Sequence, residues 1–339
     1  MSEKELTDCT KKNPITVITW RSFMLKELGF YKGVNLGGWL SQCDYSDERL
    51  DHFIEARDFE KIDSWGLDHV RIPVDYNVFE NEDGSYKPEG FQRLIHAITL
   101  AQKHDLNTII DLHKTAGYSF DSGEGEGGFF EEEELQERFY RLWEEFARRF
   151  GGYGNHIAFE LLNEVTDKAY IKTWNKIVRT CIKRIRAITK DTIILVGSWG
   201  NNSVGAVKDL NKPYDDRVIY NFHCYDPFPF THQGAYWVDC LERDARVSFA
   251  ESGATVEYFE KLFASAIKAA ADNNTELYCG EYGVIDIASP EDTLKWYQTI
   301  HKVFEKYGIA HAAWSYKEMD FGLSDPRMDN VRAELIKVL

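Results

Sequence analysis

The chain has 339 residues, 43% of them hydrophobic and 28% charged, so a sizeable core is within reach and disorder is excluded. Its formal net charge of −16 argues against a nucleic-acid partner, because phosphate binding needs clustered Lys and Arg. No run approaches the roughly 18 apolar residues of a membrane-spanning helix.

In chain order, residues 1–30 read as an N-terminal segment and residues 31–339 as one folded domain. The opening MSEKELTDCTKKNP has neither an apolar stretch nor a cleavage signature. No signal peptide is therefore visible, and cytoplasmic residence is expected, or secretion if a leader was removed. Short apolar, β-branched runs at 31–38, 68–74, 107–113, 157–164, 192–198, 218–225, 276–283 and 311–317 read as strands. Helical patterns lie among them at 53–65, 91–104, 131–150, 169–189, 256–273 and 290–307. Such alternation implies parallel strands, since each return crossover is a helix. Eight strands predict an α/β fold, a closed (β/α)8 TIM barrel of one domain; no GxGxxG turn follows strand one to favour an open nucleotide-binding sheet. Two connections are long: 115–130 after strand three, rich in Gly and Glu, and 226–255 after strand six, which holds Phe228, Phe230, Tyr236 and Trp237. Loops after barrel strands lie at the catalytic face, so both are expected to shape a cleft. The six cysteines show no CxxC and no metal-ligand spacing; Cys224 and Cys279 read as buried free thiols.

Polar residues interrupt the apolar strands near their carboxyl ends: His69 and Arg71, Asp111 and His113, Asn163 and Glu164, Asn221 and His223 with Tyr225, Glu281, and Trp314. An ionised group in a barrel core costs several kcal/mol unless paired, so this cluster needs mutual partners or a function. Glu164 and Glu281, on strands four and seven, are expected to face each other across the barrel mouth. Glycoside cleavage needs two such carboxyls, one to protonate the leaving oxygen and one to attack or to activate water. Arg71, His223 and Tyr225 are expected to hold Glu281 ionised, and Glu164, beside uncharged Asn163, is the better candidate to carry a proton.

Arg71, His113, Asn163, Glu164, His223, Tyr225, Glu281 and Trp314, in this order and on these strands, resemble the signature positions of family-5 glycoside hydrolases of clan A. The stretches GVNLGGWLSQ (33–42), AFELLNE (158–164), YNFHCYDPFPFTHQ (220–233) and YCGEYGVI (278–285) are similar to the clostridial endoglucanase C group, and the likeness runs from about 31 to 321. The resemblance implies a retaining endo-β-1,4-glucanase, able also to cut mixed-linkage glucan, acting on β-glucan polysaccharide or oligosaccharide without a cofactor. It implies Glu164 as acid/base, Glu281 as nucleophile, Asn163 on the sugar 2-hydroxyl and Trp314 as the platform under the −1 sugar. Two departures stand out. Lys114 occupies the place of a second His found in many relatives, and Leu40-Ser41-Gln42-Cys43 replaces the Leu-Glu-Pro that closes the cleft of exo-β-1,3-glucanases. The loop after strand six is shorter than the subdomain of some relatives, so a more open cleft is expected.

Plainer readings apply to each residue. Arg71 could be a structural ion-pair partner, perhaps for an acid on an adjacent strand, and His113 and His223 satisfied core histidines. Trp314 could be plain core. Lys114, Gln42 and Trp237 are candidate cleft contacts, and the acidic run 131–134 a solvated first helical turn. The ligand set for a barrel metallohydrolase is incomplete, so no metal is expected. Rival substrates are β-mannan, xyloglucan and β-1,3-glucan. A non-catalytic sugar-binding barrel would lack a catalytic carboxylate, and a Schiff-base enzyme would have only Lys317 on a strand to use. A monomer is expected.

Overall fold

In the computed structural model, which describes residues 24–121, 123 and 125–339, eight parallel strands close into a barrel in sequence order. They are β1 (Lys32–Asn35), β2 (His69–Asp75), β3 (Asn107–Lys114), β4 (Ile157–Glu160), β5 (Ile193–Val196), β6 (Val218–Cys224), β7 (Leu277–Tyr282) and β8 (Ala310–Ala313). β1 pairs with both β2 and β8, so the predicted (β/α)8 fold is the observed one. No helix of the described residues is long and apolar enough to cross a membrane.

Most of the strands divide their residues by the period of two. On β2, Val70, Ile72 and Val74 point outward into the apolar layer under the helices, as do Ile110 and Leu112 on β3 and Phe222 and Cys224 on β6. The inward set runs in tiers. Ile109, Ala158, Leu195, Ile219, Tyr278 and Ala312 fill the lower barrel, and the inward residues one pleat higher on β2, β3, β4 and β6 are Arg71, Asp111, Glu160 and Asn221. The barrel thus passes from apolar to charged along its axis.

Helices Ala56–Ser64, Pro88–Lys103, Glu133–Phe150, Ile171–Arg186, Val256–Asn273 and Pro290–Tyr307 cover the outside. The last two match their predicted bounds; the others shift by a few residues because caps, not periodicity, set helix ends. Glu55 and Asp58 form a reciprocal capping box at Ala56, and Pro88 occupies the first turn where its missing N–H is not needed. Strands β1, β4, β5 and β8 end earlier than their apolar runs. Glu164 lies four residues beyond the end of β4, and Trp314 and Lys317 lie beyond β8.

Of the predicted N-terminal segment, residues 1–23, Cys9 among them, lie outside the described residues. Residues 24–30 close the barrel floor. Leu25 and Phe30 are buried against the lower tier, and the Glu276 carboxylate accepts from the backbone N–H of Met24 at 2.7 Å and of Leu25 at 3.1 Å. Phe30→Ala is expected to remove about 3–5 kcal/mol of stability by opening a cavity there, read as a lower denaturant midpoint with KM unchanged. Cys224 and Cys279 are buried and free, as expected.

Candidate active site

Arg71 organises the upper barrel. Fully buried, its guanidinium makes a fork on Glu160, with Nε to Oε2 at 2.7 Å and Nη2 to Oε1 at 2.8 Å. The remaining donors reach Asn35 Oδ1 at 2.8 Å, Asn163 Oδ1 at 2.9 Å and Glu281 Oε1 at 2.8 Å, and Asp111 Oδ2 lies 3.0 Å from Nη2. One cation therefore serves three buried carboxyls. Burial raises the pKa of Glu160 against the lowering effect of Arg71, and pushes Asp111 up to about 7, where Asp75 and Glu164 add repulsion. Asp111 Oδ1 is buried with no hydrogen-bond partner among the described residues, which suits a carboxyl that is easily neutralised.

Glu281 reaches this network through a bulge. β6 pairs Phe222 with Cys279 but His223 with Glu281, so Gly280 is an extra residue on β7. A side chain at Gly280 would collide with the Asn221 amide at 2.7 Å; instead its N–H donates to Asn221 Oδ1 at 2.9 Å, and its carbonyl accepts from Asn35 Nδ2 at 2.9 Å. The displaced register leaves Cys279 and Tyr282 packed outward and delivers Glu281 to the inner face. There Oε1 accepts from Arg71 and Oε2 accepts from Tyr225 Oη at 2.9 Å.

Glu164 sits on a bend with φ +36°, sparsely occupied by non-glycine residues. The bend is held by Asn163 N donating to Leu112 O at 2.9 Å and Tyr118 Oη donating to Glu164 O at 2.7 Å. Burial raises its pKa, while the Asn201 amide, His113 and Arg71 pull it down. Its Oε1 lies 2.8 Å from His223 Nδ1, and Oε2 accepts from Asn201 Nδ2 at 2.9 Å. An oxygen of Glu164, an oxygen of Glu281 and a His223 nitrogen all lie within 4.8 Å of one another. Among the described residues this is also the one trio whose donor atoms could hold a metal ion. Partners already account for its geometry: Arg71 and Tyr225 on Glu281, Asn201 and His223 on Glu164.

The expectation for His223 needs correction. Its Nδ1 is closer to Glu164, at 2.8 Å, than to Glu281 Oε2, at 3.5 Å, so it serves the carboxyl on the bend first. Burial lowers its pKa to about 4, which leaves the ring neutral near pH 7. His113 Nδ1 meets Asp111 Oδ2 at 2.6 Å and its Nε2 lies 3.5 Å from Asn163 Nδ2. Trp314, 6% exposed, lies parallel to the His113 ring, with centroids 5.8 Å apart.

The outer candidates fall in two places. Lys114 Nζ approaches Tyr45 Oη at 3.3 Å, Tyr45 donates to Asp75 Oδ2 at 2.6 Å, and the backbone N–H of Gln42 reaches the same oxygen at 3.3 Å. Trp237, 44% exposed, lies on the opposite loop, edge-on to His232, which is edge-on to Tyr225 at 5.0 Å. Lys317 is bonded to Phe53 O and to Asp58, away from the carboxyl pair.

Sequence reasoning passed over Glu160, Asn35, Asn201 and Asn202, and named Asn221 without giving it a role. Glu160, Asn35 and Asn221 carried a legible signal, a polar side chain at an inward position of an apolar strand. Arg71 was expected to pair with Glu281 or with an acid on an adjacent strand; it binds Glu281, Asp111 on the adjacent β3, and Glu160 two strands away.

Residues 32–320 match the model of the family described as cellulase (glycosyl hydrolase family 5). Cellodextrinase A of Ruminococcus flavefaciens is 55% identical over 287 residues, 85% of each chain. Endoglucanase C of Acetivibrio thermocellus is 34% identical over 339 residues, 92% of this chain and 98% of that one. Among solved structures, Thermotoga maritima Cel5A in complex with cellobiose superposes with a TM-score of 0.80 at 25% identity, covering 94% of this chain and 99% of that one. A barrel with charged upper tiers, a carboxyl pair at its mouth and a family match across most of its length lead to one assignment: the chain belongs to glycosyl hydrolase family 5, the cellulase family, and is a glycoside hydrolase.

Proposed function

We propose that the chain is a retaining endo-β-1,4-glucanase in which Glu281 attacks the anomeric carbon and Glu164 protonates the leaving glycosidic oxygen. Water then hydrolyses the glycosyl ester, with Glu164 taking the proton. The observation that carries this reading is the approach of a Glu164 oxygen to a Glu281 oxygen within 4.8 Å. Retention places the two carboxyl groups about 5–5.5 Å apart, whereas inversion needs about 6.5–9.5 Å to seat a water between them. Environment supports the division of labour. Glu281 accepts from a guanidinium and a phenol, as an ionised nucleophile should, while burial favours the protonated form of Glu164. Esterification of Glu281 removes one negative charge near Glu164, which then ionises more readily and can act as base.

Asn163, held by Arg71, is the proposed contact for the sugar 2-hydroxyl, and Trp314, parallel to His113, the proposed platform under the −1 sugar. Lys114 and Gln42 on one side, and Trp237 on the other, are the proposed outer contacts. The relatives' names support β-1,4-glucan as substrate, and the cellodextrinase among them favours short soluble chains as a second preference.

The expected outcome on carboxymethyl-cellulose, lichenan, laminarin, mannan and cellotetraose is fastest cleavage of the β-1,4-glucans, with intermediate-length products from the polymers. NMR of the first-formed product should show the β-anomer. An α-anomer, or release of single terminal units only, would overturn the reading.

A further inference from the structure

After β5 the backbone makes an unusual turn. Gly200, Asn201 and Asn202 all have left-handed φ, at +67°, +56° and +54°. Asn is among the few side chains that tolerate this region, so two adjacent Asn after a Gly suit the turn. The turn is tied to both halves of the proton-transfer pair. Gly200 N donates to Thr166 O and Asn201 N to Val165 O, both at 3.1 Å, which anchors it to the residues that follow Glu164. Ser203 forms a parallel bridge with His223. Gly197 makes room, since a side chain there would meet Asn202 Oδ1 at 2.1 Å.

The consequence is that neighbouring amides address different partners. Asn201 Nδ2 donates to Glu164 Oε2 at 2.9 Å, and Asn202 Nδ2 lies 3.4 Å from His223 Nε2. His223 Nδ1 faces two carboxyl oxygens, Glu164 Oε1 at 2.8 Å and Glu281 Oε2 at 3.5 Å. Acceptors on that side favour the ring proton on Nδ1, which leaves Nε2 to accept, and the Asn202 amide is the donor beside it.

We propose that Asn201 and Asn202 are positioning residues for proton transfer, Asn201 holding the Glu164 carboxyl through Oε2 and Asn202 holding the His223 proton on Nδ1. Glu164 then receives a donor on each oxygen, which favours its base form when the glycosyl ester is hydrolysed. The other groups facing Glu164 are Arg71 from β2, Asp111 and His113 from β3, Tyr118 from the loop after β3, Tyr225 from the end of β6 and Glu281 from β7. None of these donates to Oε2 among the described residues, so Asn201 sets that end of the carboxyl.

The inference rests on the proposed acid/base role of Glu164, and the test separates the two. Asn201→Asp and Asn202→Asp keep size and left-handed tolerance while replacing a donor by an acceptor. In N201D the alkaline limb of kcat/KM, which reports loss of the Glu164 proton in the free enzyme, is expected to move up by about one pH unit. The sign follows because an amide donor favours the carboxylate whereas a second carboxylate disfavours it. kcat is expected to fall roughly tenfold, short of the 10²–10⁴ that general acid–base catalysis contributes as a whole. In the unaltered enzyme, ¹⁵N shifts of His223 should report the Nδ1–H tautomer, and N202D should move the proton to Nε2. Asn201→Ala, with folding checked by circular dichroism, should shift the same limb upward by less. An unmoved alkaline limb in folded N201D and N201A, or an Nε2–H tautomer in the unaltered enzyme, overturns the inference. Glu164→Ala is the control. If its activity collapses and azide restores turnover of an aryl glycoside while the Asn variants leave the pH profile unmoved, only this inference fails. If Glu164→Ala turns over normally, the acid/base reading fails with it.

Discussion

Glu281→Gln is expected to reduce turnover by a factor on the order of 10⁵–10⁶, the scale seen when a covalent nucleophile is removed. The amide is close in size, its oxygen can still accept from Arg71, and its NH2 can donate to the Tyr225 hydroxyl oxygen, so the fold should persist. Yet a neutral amide cannot form the glycosyl ester, and the first bond-making step of a double displacement is lost. The measurement is kcat on a soluble β-glucan, beside circular dichroism and a thermal melt of the same preparation. Activity within tenfold of the unaltered enzyme, in a folded protein, would remove Glu281 from the role proposed for it.

Arg71→Met should have the largest effect on stability. The side chain is fully buried and, among the described residues, is the one guanidinium or ammonium paired with Glu160, Asp111 and Glu281. Methionine preserves much of the volume but leaves three carboxyls facing one another without a counter-charge. Removing one partner of a buried ion pair typically costs about 3–5 kcal/mol, because the remaining charge stays desolvated. Here part of that cost can be relieved by protonation, to which Asp111, pushed up to about 7, is open. The loss should therefore be smaller at pH 5 than at pH 8, the pH dependence that distinguishes uncompensated charge from lost packing. Urea melts at the two values would decide; an equal loss at both would point to packing alone.

Much of the site was legible before any fold was known. Arg71, His113, His223, Tyr225 and Glu281 announce themselves as polar or ionisable side chains at the ends of apolar runs, where burial would be costly without a role. Glu160 offered the same signal within 158–164 and was overlooked, because Glu164 four residues later matched the family pattern and took its place. Asn201 and Asn202 carried no such signal. They lie beyond β5 in a segment that reads as a polar turn, and only the turn's left-handed course brings their amides to Glu164 and His223.

What the sequence by itself determined is the architecture and the cast of residues: the periodicity of two and its alternation with helices specify the barrel, and inward polar positions on apolar strands specify which side chains meet at its mouth. Only tertiary structure decided how they are aimed. The bulge at Gly280 turns Glu281 to the inner face against the simple alternation of β7, and the bend at Glu164 carries that carboxyl past the end of β4 to His223. The reason is physical. Strand periodicity is a local property of the chain, whereas a bulge or a left-handed bend is stable only when groups distant in sequence, here Asn35, Asn221 and Tyr118, accept or donate the hydrogen bonds that it redirects.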